Sequence, residues 1–106
     1  MRTLHLTLSK KPFEVMVTGE KTVEFRKPSK WIESRLVDKN GNWKDFDAIK
    51  FTQGYGKGKP YFISEYDYAT NESLNKKYEY SNGLTVFTFV GDFKIHLGKI
   101  IEKGNI

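Results

Sequence analysis

The chain has 106 residues, with 18 Lys+Arg against 13 Asp+Glu, two His and no Cys. That length suits a single domain, 1–106, burying roughly two thirds of its unfolded surface around one core, and the absence of cysteine excludes disulfides and thiolate chemistry. The net charge of +5 and a sequence pI near 9.4 favour an anionic partner such as RNA or a nucleotide, although a basic surface with no partner has the same composition. Residues 1–6 form no secretory apolar run, and no stretch approaches the roughly 20 apolar residues of a membrane span, so the expectation is a cytoplasmic protein with no membrane partner.

Leu4, Leu6 and Leu8 alternate with Thr3, His5 and Thr7, the pattern of a half-buried strand. Pro12 fits a first helical turn, Phe13, Met16 and Val17 share a helical face, and Gly19 stands where a left-handed residue ends a helix, which predicts a helix over 11–18. The following stretch, 19–26, packs four ionisable side chains beside a glycine at the mouth of a strand. Extended chain puts Thr22, Glu24 and Arg26 on one face and Val23 and Phe25 on the other, with the apolar side expected on the core. Lys21 joins Glu24 only if the strand begins after it or the chain bends at Gly19.

Pro28 and Ser29 open a second helix in which Ile32, Arg35 and Leu36 lie together. Asn40-Gly41 is a strong turn signal. Residues 47–53 and 61–68 read as strands, with Ile49 and Phe51 inward on the first and Phe62, Tyr66 and Tyr68 on one face of the second. Residues 71–77 read as a loop. Residues 84–90 carry apolar residues on both faces, as a central strand does, and Gly91-Asp92 signals a hairpin into Phe93, Ile95 and Leu97. The fold expected is mostly β or α+β: a small β-barrel of about six strands with one or two short helices, its core drawn from Leu6, Phe25, Ile49, Phe51, Phe62, Val86, Phe89, Ile95 and Leu97.

Gly19, Lys21, Glu24 and Arg26 fill Gly-x-Lys-x-x-Glu-x-Arg, which resembles the signature of ASCH domains, small barrels related in fold to the PUA domains that bind RNA. Lys11-Pro12-Phe13 ahead of it and the segment 93–101 resemble the same family in outline. The resemblance implies a PUA-like barrel and an RNA or modified-nucleotide ligand, with hydrolysis of modified nucleosides in some members. The chain differs from the acetylcytidine hydrolases of that family, which carry threonine where Glu24 stands and a catalytic glutamate further on; Glu65 and Glu72 are the downstream acids, neither in a matching context.

The candidate binding set is therefore Lys21, Thr22, Glu24 and Arg26, with Lys30 and Arg35 extending the cationic rim. Arg26 and Lys21 would hold a phosphate or base edge, and Glu24 would accept from an amine or position Arg26. The alternative is an exposed strand laced by ion pairs worth about 0–1 kcal/mol each. A second candidate is the loop 53–60, where three glycines with Tyr55, Lys57 and Lys59 offer a stacking surface and cations to an unpaired base, or simply a mobile connection. An enzyme acting on acetylcytidine-type nucleosides, the competing reading, would use Lys21 as its base with a pKa lowered by about 3 units. No cofactor is implied, and His5 and His96 have neither cysteine nor carboxylates at ligand spacing, so no metal is expected.

Overall fold

The computed structural model describes residues 2–106. In chain order the elements are β1 (Thr3–Leu8), α1 (Lys10–Val17), β2 (Val23–Arg26), α2 (Lys30–Leu36), β3 (Ala48–Gln53), β4 (Tyr61–Asn71), β5 (Lys76–Glu79), β6 (Thr85–Thr88) and β7 (Phe93–Gly104). Five strands form one curled half-barrel sheet in the order β1-β3-β4-β7-β2, and β5 with β6 forms a separate ribbon, so the class is α+β.

The curl originates in the two longest strands. β4 and β7 pair antiparallel over most of their length, and their register shifts between Ile63 and Ser64, between Ser64 and Tyr66, and between Tyr66 and Tyr68. Such bulges bend a strand and increase its twist, which brings the two edges of the sheet towards each other. They also change side-chain parity. Phe62, Ser64 and Tyr66 face inward, but beyond the bulge Ala69 takes the inner position and Tyr68 is exposed, contrary to the single face expected for Phe62, Tyr66 and Tyr68.

The two helices lie between β1 and its parallel neighbour β3 in sequence. In α1 the buried residues are Phe13, Val15 and Met16, and Gly19 ends the turn at φ +88°, a conformation that costs glycine little. In α2 the Ser29 hydroxyl caps the first turn by accepting from the Ile32 N–H at 3.2 Å, and Ile32 and Leu36 point into the core. One apolar cluster unites β1, both helices, β3, β4 and β7 through residues such as Leu6, Phe13, Ile32, Phe51, Phe62 and Ile95.

Three expectations need correction here. Residues 84–90 do not form a central strand: β6 spans four residues, pairs only with the polar β5, and leaves Phe87 and Phe89 exposed with Val86 half-buried. Its inward position belongs to Thr88, whose hydroxyl serves a buried carboxylate, so apolar side chains occur on both faces without burial on both. Nor is Gly91-Asp92 a hairpin between paired strands. Gly91 N–H donates to Glu72 O and Glu72 N–H to Asp92 O, which ties the turn to the end of β4. Phe25 also sits outside the core, half-buried with its ring 4.7 Å from Tyr78 of the ribbon.

Phe51→Ala should lower the unfolding free energy in urea by about 3–5 kcal/mol, because it empties a fully buried site. Phe89→Ala should cost less than about 1 kcal/mol, since the ring is half exposed at the surface, where it stacks with the Lys27 ammonium at 4.1 Å.

Candidate functional site

β2 begins at Val23, after Lys21, so the lysine is free of the strand's alternation and folds back beneath it. The Lys21 ammonium donates to Glu24 Oε1 at 2.9 Å, to the Val23 carbonyl at 2.7 Å and to Met16 Sδ at 3.5 Å. The second oxygen of Glu24 accepts from Arg26 Nε at 2.9 Å. Arg26 Nη2 then reaches across to the Thr7 carbonyl of β1 at 2.6 Å. Lys21 is 2% exposed and Glu24 6%, so the polar face of β2 is turned into the protein. The faces are thus opposite to those expected, because paired charges satisfy the interior while Val23 and Phe25 lie half-buried outside, Phe25 under the ribbon.

The structure therefore brings Lys21, Glu24 and Arg26 together, but as a bridge between the two edge strands of the half-barrel. All three Lys21 donors are engaged within the protein, and none of the three residues lines either of the two hollows described below. Thr22 is exposed, with its carbonyl accepting from Leu97 N–H at 3.0 Å. Tyr55, Lys57 and Lys59 are exposed on the loop after β3, which is anchored by Gly54 N–H to Leu8 O at the C-terminal end of β1; they line neither hollow. Of the expected residues, Lys30 lines the larger hollow and Arg35 the smaller.

The larger hollow is a cleft of about 1160 Å³ between α2, the loop 38–44 and the turn 91–93. It follows directly from the end of β2: Arg26 pairs with Phe93, and Pro28 and Lys30 continue into its wall. Lys30, Lys39 and Lys44 line it with Trp43, whose indole is 41% exposed and stands edge-on to Phe93 at 5.9 Å. Of its two acids, Asp38 accepts the Asn40 and Asn42 N–H groups on one oxygen, at 2.8 and 3.0 Å, and Glu33 is exposed on α2. Sequence reasoning missed Trp43, Lys39 and Lys44 because an Asn-Gly turn carries no sign of what its flanks face; the signal available was a tryptophan between lysines in a polar loop.

The burial of a second carboxylate, in a stretch read as a loop over 71–77, was not expected. Glu72 sits at the end of β4, 2% exposed, and its Oε2 accepts from Thr88 Oγ1 at 2.9 Å and Tyr78 Oη at 3.0 Å. Lys94 and Lys76 approach Oε1 at 3.6 and 3.7 Å. Burial pushes this carboxyl up, but the two hydroxyls and the two ammonium groups outweigh it and hold it below its ordinary value. The ribbon is pinned to the sheet through this group.

Among the described residues no cluster of three or more His, Cys, Asp or Glu is placed to hold a metal ion, and no helix is long and apolar enough to cross a membrane. Compared with known proteins, the chain matches no family model, no curated protein and no solved structure.

Because the Glu72 pKa is lowered on folding, its stabilising contribution is complete above the ordinary value of 4.5 and disappears as pH falls through the lower folded value. Glu72→Gln should therefore flatten the acid limb of a stability-versus-pH curve from urea denaturation, leaving the change between pH 5 and pH 3 smaller than in the wild type.

Proposed function

We propose that this chain binds RNA or a modified nucleotide, and that the cleft between α2, the loop 38–44 and the turn 91–93 receives the base. The observation that carries the reading is Trp43: a large, half-exposed ring on a hollow wall shared with three lysines, the pairing of stacking surface and cation that an unpaired base requires. The net charge of +5 supports the same ligand class. So does the Gly19-Lys21-Glu24-Arg26 spacing, which resembles the ASCH signature. In this reading Lys30, four residues beyond the signature at the start of α2, touches ligand. Lys21, Glu24 and Arg26 act one step back, fixing the strand from which Pro28 and Lys30 enter the cleft wall.

Binding is favoured over acetylcytidine hydrolysis by the state of Lys21. A catalytic base needs a free amine facing substrate, and here the ammonium donates to a carboxylate, a carbonyl and a thioether.

Titration of a single-stranded RNA octamer tests the reading. Trp43→Ala should weaken binding by about tenfold or more, the value of one stacked base. Lys30→Ala and Lys39→Ala should each reduce the slope of log affinity against log salt by roughly 0.7. Unchanged affinity in all three variants would overturn the cleft as the binding site.

A further inference from the structure

Against the outer wall of the cleft lies a second, smaller hollow of about 230 Å³, where the start of β1 meets α2. Its walls carry Arg2, His5, Arg35 and Lys44, with Ser34 and Phe46 among the remaining lining. No carboxylate lines it. Among the described residues none of Arg2, Arg35 and Lys44 makes an ion pair. The Arg2 guanidinium stands 5.3 Å from the Phe46 ring and that of Arg35 5.1 Å from Trp31, while Lys44 Nζ donates to the Ser34 carbonyl at 2.7 Å. Asp47 accepts from the Arg2 backbone N–H at 2.8 Å and so steadies the residue without that bond reaching its guanidinium.

Three cations around one small hollow repel one another, and folding gains nothing from the arrangement that these ring and backbone contacts would not supply singly. An anion in their midst reverses the sign. Guanidinium groups supported on aromatic faces keep their N–H forks free for the planar, two-point contact that a phosphate oxygen pair accepts. The hollow and the large cleft share Lys44 and Ser34 as a common wall, so a group held in one lies next to a group held in the other.

We propose that this hollow is the phosphate subsite of the nucleotide cleft: Arg2 and Arg35 clamp a phosphate monoester or diester, Lys44 bridges it to the base side, and His5 closes the wall. The ligand class of the whole site is thereby narrowed to nucleoside phosphates, or phosphorylated ends and backbone of RNA, in preference to free nucleosides. This assignment rests on the cleft reading for the base, but not for the anion.

Calorimetric titrations with cytidine, cytidine 5′-monophosphate and inorganic phosphate separate the two. The expected result is that the monophosphate binds at least about tenfold more tightly than cytidine, that inorganic phosphate binds on its own, and that Arg2→Gln and Arg35→Gln abolish both effects while leaving cytidine affinity unchanged. Arg35→Lys, which keeps charge but loses the fork, should recover part of the difference. Equal affinity for cytidine and its monophosphate, with no phosphate binding, would overturn the subsite and leave the cleft standing. Phosphate binding that is lost in Arg35→Gln, with no cytidine binding, would sustain the subsite and remove the cleft reading. Phosphate binding that survives both Arg→Gln variants, each shown to melt as the wild type does, would overturn it as well.

Discussion

A carboxylate buried between two cations holds this fold together. Glu24 takes the Lys21 ammonium on one oxygen and the Arg26 Nε on the other, and Arg26 spends a further donor on the Thr7 carbonyl of the opposite sheet edge. Edge strands present unpaired backbone groups, and a five-stranded sheet has two such edges. Here β1 and β2 approach each other through the curl of β4 and β7, and a side chain spans what no strand fills. The energetics are those of a buried network: its net contribution relative to an apolar filling is small, but removing one member leaves a charge stranded at a cost of about 3–5 kcal/mol. Glu72 repeats the device at the ribbon, with hydroxyls supplying most of the compensation and lysines the remainder.

From this bridge the positions of the two hollows follow. With β2 fixed, Arg26 pairs with Phe93, and the chain leaves through Pro28 into the capped helix α2. Ile32 and Leu36 anchor that helix on the core, which leaves its other faces to line the cleft and the arginine hollow. The loop 38–44 is held by the Asp38 carboxylate and by the Lys44 N–H to Leu36 O, so Trp43 is presented from an ordered turn. Binding groups set on supported backbone lose less entropy when a ligand arrives.

Much of this was legible in the residues. Leu4, Leu6 and Leu8 announced β1, Pro12 and Gly19 bracketed α1, Ser29 capped α2, and Ile49, Phe51 and Phe62 are buried as their alternation required. The stretch 19–26 was legible as a place where charge converges, and the convergence is there. Its direction was not, because alternation assigns residues to two faces without saying which is inside, and local pairing made the charged face the buried one. Phe87 and Phe89 misled for the converse reason: β6 shares its sheet only with β5, and nothing in its composition says that no second layer covers it. The bulges of β4 leave no mark in the chain, so the turn of Tyr68 to solvent could not be read. Arg2 is more than thirty residues from Arg35 and Lys44 in sequence, and the parallel β1–β3 crossover through α2 brings it to them.

The bridge itself is open to a double-mutant cycle in urea, pairing Lys21→Met with Glu24→Gln. The expected result is that Glu24→Gln alone costs about 3–5 kcal/mol and that Lys21→Met costs at least about 1 kcal/mol less in the Glu24→Gln background than in the wild type. Single costs below about 0.5 kcal/mol that simply add would mean that the two charges stand in water, and the half-barrel would have to be closed by something else.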